Sequence, residues 1–96
     1  MRLYLFTVPE HLANANGFEG ELVRRFGGYT RLESKGALEC NGKTWIESNA
    51  VYLIAVAGPG TASELRYWLM ETLRLGGEKA VFLAEVGTAE IISLKE

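Results

Sequence analysis

"ALECNGKTWIESNAVYLIAVAGPG", residues 37–60, carries the strongest local instruction in the chain. Asn41 and Gly42 both tolerate the positive φ of a two-residue type I′ turn, so residues 37–40 and 43–57 are predicted to fold back on one another as a hairpin. Counting outward from the turn sets Leu38 opposite Trp45 and, if nothing intervenes, Leu32 opposite Val51; Gly36 marks a place for a bulge. Gly58-Pro59-Gly60 then breaks the strand, and Thr61 or Ser63 caps a helix running to about Leu75. Leu65, Trp68, Leu69, Thr72, Leu73 and Leu75 form its apolar side.

Upstream of the hairpin, the run "LYLFTV" (3–8) closed by Pro9 reads as a buried strand. From Glu10 to Phe26 the apolar residues Leu12, Ala15, Phe18, Leu22 and Phe26 recur at helical spacing, with Arg24 and Arg25 late, as the helix dipole prefers. Asn14, Asn16 and Gly17 are poor helix formers, which leaves room for a loop over part of this stretch, with the strong portion of the helix beginning near Phe18. Gly27 or Gly28 ends the helix in the left-handed conformation, and residues 29–34 alternate as a strand. Downstream, Gly76-Gly77 stops the second helix, "AVFLAE" (80–85) reads as a fourth strand, and residues 90–94 as a last short extended piece.

The order is β-α-β-β-α-β, and the halves look duplicated: "LYLFTVP" answers "VYLIAVAGP", and "RRFGGY" answers "LRLGGE". Two such halves interlock into an α+β, ferredoxin-like sandwich, a four-stranded antiparallel sheet with two helices on one face. A length of 96 residues, 48% of them hydrophobic and 23% charged, fits one globular domain over 1–96.

A formal charge of −2 argues against a protein that neutralises nucleic-acid phosphates. Single-stranded nucleic-acid binding stands only as an alternative: "LYLFTVP" is similar to the first aromatic motif of RNA-recognition modules, but the strand after the hairpin lacks the glycine-aromatic-basic motif that accompanies it. Cys40 is the sole cysteine, which excludes an internal disulfide, a CxxC pair and a cysteine-rich zinc site and fits a cytoplasmic location. The longest apolar run, 51–57, is too short to cross a bilayer, so no membrane partner and no export are expected.

Neither alternating set of the strands is polar, so a sheet with helices on one side leaves an apolar face that something must cover. The leading expectation is a second copy, giving a homo-oligomer with a dimer as the simplest form. Its interface is expected at Tyr4, Phe6, Tyr29, Tyr52, Ile54 and Phe82. The alternative is a small ligand, which makes the protein a sensor or an enzyme with a pocket near His11, the first strand, Arg24 and Arg25. His11, Arg31, Glu47 and Tyr52 are the candidate ligand-binding residues.

His11, the only histidine, sits at the mouth of the first helix beside Glu10, a place for an acid-base role against its ordinary one as an exposed residue of a first turn. No HxH, HxxxH or HExxH spacing accompanies it, so no metal, cofactor or catalytic residue is assigned. Glu33 and Glu47 are candidates to face each other across the hairpin as an acid-base pair, against their ordinary role as its solvated side. Cys40 precedes the turn with neither a histidine nor a helix N-terminus beside it, so it is not read as a nucleophile. "GKT" at 42–44 follows a hairpin, and Gly27-Gly28 follows a helix; a phosphate loop wants its glycines before one.

The run Phe26-Gly27-Gly28-Tyr29-Thr30, then Gly36, Gly42-Lys43, Glu47 and Tyr52-Leu53-Ile54, resembles small uncharacterised bacterial and phage-associated proteins of ferredoxin-like fold. The resemblance implies that Thr30, Glu47 and Tyr52 cluster around the second and third strands. It brings no activity and no catalytic role. Acylphosphatases fit worse because Pro9-Glu10-His11 supplies no anion loop after the first strand. Small CRISPR-associated nucleases of this topology fit worse because the chain contains no aspartate.

Overall fold

In a computed structural model, which describes residues 1–94 apart from the side chain of Leu38, the turn forms where the sequence places it. Asn41 (φ 53°) and Gly42 (φ 76°) take positive φ and join β2 (Thr30–Cys40) to β3 (Lys43–Val56). The register runs unbroken from Cys40 opposite Lys43 to Thr30 opposite Leu53, and includes Leu38 opposite Trp45 and Leu32 opposite Val51. The bulge expected at Gly36 is absent: Gly36 pairs squarely with Glu47. A Cβ there would lie 3.0 Å from Asn49 Nδ2, so the glycine serves a close side-chain approach instead.

β1 (Arg2–Pro9) lies between β3 and β4 (Leu83–Thr88), antiparallel to both, in a four-stranded sheet of order β2-β3-β1-β4. The fourth strand begins later than its sequence suggests, because residues 78–82 are needed to return the chain from the preceding helix to the sheet. Pairing starts with Leu83 opposite Phe6, and a register shift between Leu3 and Tyr4 leaves Val86 as the extra residue. Residues 90–94 join no strand.

The first helical stretch divides into α1 (Glu10–Ala13) and α2 (Phe18–Phe26) across the weak Asn14–Gly17 segment, with Gly17 at φ 93°. α3 (Gly58–Leu75) starts earlier than expected, with Pro59 in its first turn and no side-chain cap from Thr61 or Ser63. Proline is at ease there, since its missing N–H has no helical partner in any case. The two glycine pairs end their helices differently. Gly27, at φ 89°, donates to the Val23 carbonyl at 2.9 Å in a simple left-handed cap. At the end of α3 Gly77 is the left-handed residue (φ 91°), with Gly77 N–H on the Arg74 carbonyl and Glu78 N–H on the Leu73 carbonyl, a Schellman motif.

Phe6, Val8, Ala50, Tyr52, Ile54 and Val56 of the sheet pack against Phe18, Leu22, Leu65, Leu69 and Leu73 of the helices. The helices therefore cover the aromatic-rich side of β1 and β3. This corrects the expected interface: Phe6, Tyr52 and Ile54 are at most 1% exposed, and Tyr4 and Tyr29 pack against the same core. Large rings fill the gap between the layers. Phe6 stacks on Tyr52 at 5.2 Å between centroids, and Phe18 meets both Tyr52 (5.7 Å) and Trp68 (5.3 Å). Of the six expected interface residues only Phe82 stands exposed. Leu75, read as apolar-face, is exposed at the end of α3.

The uncovered face carries Leu3, Leu5 and Thr7 of β1, Val51, Leu53 and Ala55 of β3, and Leu32 of β2 opposite Val51. Only the Asn49–Val56 part of β3 pairs with β1; residues 43–48 pair with β2 alone and are all exposed. That ribbon helps stretch the molecule to 55 × 24 × 23 Å. Its radius of gyration is 14.6 Å, against about 12.5 Å for a compact chain of this length.

Candidate functional site

Among the described residues, a polar cluster that ties α2 to both β2 and β3 centres on Glu19, a residue the sequence reading passed over. Arg31 of β2 is the register partner of Tyr52 in β3, so both side chains rise toward α2. There Glu19, one residue beyond the buried Phe18, brings down its carboxylate. Glu19 Oε2 accepts from the Tyr52 hydroxyl at 2.6 Å and from Arg31 Nη1 at 2.9 Å. Arg31 Nε donates to Glu33 at 2.7 Å, and Tyr29 packs edge-on to the Tyr52 ring at 5.4 Å. The signal available in the sequence was helical phase: Glu19 shares a face with Leu22 and Phe26, where a charge demands a partner.

The electrostatics define what this cluster does. Burial and then the Glu19 carboxylate raise the Tyr52 pKa well above its ordinary value, so the phenol stays protonated and donates. Burial opposes ionisation of Glu19, but the hydrogen bonds from Tyr52, Arg31 and Tyr29 outweigh it and hold the carboxyl below its usual range. Glu19 and then Glu33 raise Arg31, which is a permanent cation. Among the described residues no buried side-chain nitrogen or oxygen lacks a partner. A tyrosine held neutral and an arginine clasped by two acids neither abstract a proton nor offer a vacant charge to a ligand. The cluster is a lock between α2 and the sheet.

Of the four candidate ligand residues, Arg31 and Tyr52 meet in this lock. Glu47 does not join them. It is exposed on the ribbon, opposite Gly36, five residues or about 17 Å along β3 from Tyr52 and on the opposite face. Thr30, Glu47 and Tyr52 thus do not form the cluster that the resemblance implies. Glu33 and Glu47 do not face each other either, because the unbroken register sets Glu33 opposite Ala50. His11 is exposed in the short α1.

Two open clefts indent the helical side. One, of about 490 Å³, lies where the α1–α2 connection meets α3, and Asn16, Phe18, Arg24, Arg25 and Trp68 line it. It takes in the two arginines expected near a pocket, but neither His11 nor β1. Glu21 engages both, at 2.7 Å from Arg24 and 2.8 Å from Arg25, so their charge is largely answered within α2. The other, of about 510 Å³, runs between α3 and residues 78–83 over Leu69, Met70 and Val81. Among the described residues no three His, Cys or Glu side chains are grouped to hold a metal ion, and no helix is long and apolar enough to cross a membrane. Compared with models of known protein families and with curated proteins, the sequence matches none.

Proposed function

We propose that this chain is a small cytoplasmic domain of the ferredoxin-like class that works by associating with copies of itself through the open face of its sheet, as a binding or regulatory module rather than a catalyst. The strand order β2-β3-β1-β4, with helices in the β1–β2 and β3–β4 connections, supports the fold class. The free Cys40 suits a reducing compartment. The motif around Gly27-Gly28-Tyr29-Thr30 supports kinship with the small bacterial and phage-associated proteins it resembles. Tyr4 and Phe6, the rings that base-stacking would require, lie beneath the helices, which removes the support for nucleic-acid binding.

The observation that carries the reading is surface area. The chain exposes 6913 Å², whereas a compact monomer of its mass, 10.6 kDa, exposes about 5,500 Å². The excess of roughly 1,400 Å² exceeds the roughly 800 Å² that each partner buries in a standard interface. Part of this excess lies on the ribbon and after β4, where Trp45, Ile46, Ile91, Ile92 and Leu94 are exposed. The open face adds a continuous, half-buried apolar patch of Leu5, Leu53 and Val51 beside the exposed Leu32. Light scattering on the eluting protein tests this. The wild type is expected to assemble at micromolar concentration, and Leu53→Glu, a charge in the middle of the open face, to lower the assembled mass while the fold is kept. A strictly monomeric wild type overturns the proposal, and an unchanged mass for Leu53→Glu overturns the face.

A further inference from the structure

β2 is the terminal strand of the sheet, and within the described residues nothing pairs with its outer edge. The two-residue turn makes Cys40 and Lys43 a hydrogen-bonded pair, and the pattern alternates from there. Gly36, Ser34 and Leu32 therefore direct their backbone groups to β3. Glu39, Ala37, Lys35, Glu33 and Arg31 turn theirs outward. Toward the turn this edge belongs to the two-stranded ribbon, a form that is marginal in water until a third strand joins it.

Edge charges ordinarily repel a partner strand. Here they alternate in sign, Arg31, Glu33, Lys35, so an antiparallel second copy is attracted with the axis at Leu32 or Ser34 and repelled with it at Glu33 or Lys35. A Leu32 axis relies on Arg31, whose charge Glu19 and Glu33 of its own chain already answer, which favours Ser34. An axis at Glu33 opposes Glu33 to itself and Arg31 to Lys35; an axis at Lys35 opposes Lys35 to itself. With the axis at Ser34, Glu33 of each copy meets Lys35 of the other twice over, and both pairs join residues whose backbone groups point outward. In the same register Leu32, 55% exposed, comes opposite Gly36 of the second copy, which has no side chain to obstruct it.

We propose that β2 pairs antiparallel with β2 of a second copy about a two-fold axis at Ser34, with Glu33 facing Lys35 of the second copy, joining two four-stranded sheets into one of eight strands. This rests on the reading that the chain binds its own copies, but on the sheet edge rather than the face. The axis stands perpendicular to the sheet, so the two open faces lie on one side and become continuous.

The full chain carrying Leu53→Glu, with the face contact removed, separates the two surfaces. Light scattering over a dilution series is expected to find it dimeric. Adding Glu33→Lys or Lys35→Glu replaces two attractive cross-strand pairs with two repulsive ones, and each is expected to weaken the dimer by at least about tenfold. Adding both exchanges the signs and restores it, with circular dichroism confirming that every variant is folded. In a Cys40→Ser chain, Ser34→Cys is expected to crosslink two copies in oxidised glutathione, since residues directly opposite in such a pair have Cα atoms about 4.5 Å apart. If Ser34→Cys fails to fold, for want of the bond from Ser34 Oγ to the Asn49 carbonyl, the charge variants carry the test. A monomeric Leu53→Glu chain overturns the edge pairing and leaves the face reading standing. Loss without rescue by the double exchange overturns the Ser34 register, and a monomeric wild type overturns both surfaces.

Discussion

At the scale of single residues, Tyr52 is the most constrained side chain. Its ring is fully buried between Phe6 and Phe18, while its hydroxyl reaches out to Glu19. Tyr52→Phe keeps the ring and deletes a hydrogen bond to a charged acceptor, and is expected to lower stability by about 1–2 kcal/mol in urea unfolding. Glu19 makes the lock pH-dependent. Its folded pKa is depressed, so its contribution is fully present above the ordinary value of 4.5 and is lost as pH falls through the depressed one. Unfolding midpoints measured from neutral to acid pH should therefore fall more steeply for wild type than for Glu19→Gln, with the difference opening below pH 4.5. Tyr52 acts at the other end: an unfolded tyrosine ionises near 10 while the buried one does not, so stability falls as pH rises past that value.

At the scale of elements, the two glycine pairs look identical in sequence and do different work. Gly27 is left-handed with nothing near its missing Cβ, so the cost of Gly27→Ala is backbone strain, about 1–2 kcal/mol. Gly76 has an ordinary φ of −79°, but a Cβ there would lie 2.8 Å from Leu12 Cδ2. Gly76→Ala is thus expected to act by displacing Leu12 and loosening α1, and combining it with Leu12→Ala should recover part of the loss. No such recovery is expected for Gly27→Ala with Leu12→Ala. Thermal melts of the four variants distinguish strain from crowding. That each glycine pair ends a helix was legible in the sequence, but the one-residue offset between a simple left-handed cap and a Schellman motif depends on what each helix end packs against.

At the scale of the whole molecule, the sheet divides into a supported half and a bare one. The Ala50–Val56 side of β3 lies between two strands and beneath helices, whereas residues 43–48 have one neighbour and no cover, with Trp45 and Ile46 exposed. Amide exchange should follow that division: the amides of β1 and of 50–56 are expected to exchange slowest, and those of 43–48 within the fastest class in dilute solution. Raising the concentration should slow the exposed β2 edge if copies assemble there. An unchanged ribbon across the dilution series counts against its role in assembly.

Local rules fixed by a few adjacent residues were readable without a structure. Asn41-Gly42 determined the turn and, through it, every cross-strand pair from Cys40–Lys43 to Thr30–Leu53; Asn14–Gly17 determined the break in the first helix. The tertiary structure decided what those rules leave degenerate. With both faces of β1 and β3 apolar, alternation gives two equivalent sets. The choice fell to volume, since Phe6, Tyr52 and Ile54 fill the space under Phe18, Leu22 and Leu69. It also fell to the one polar atom among them, the Tyr52 hydroxyl, which finds its partner in Glu19. Turns and periodicity are set by backbone dihedrals within a few residues; the covered face is set by how side chains distant in sequence fit together.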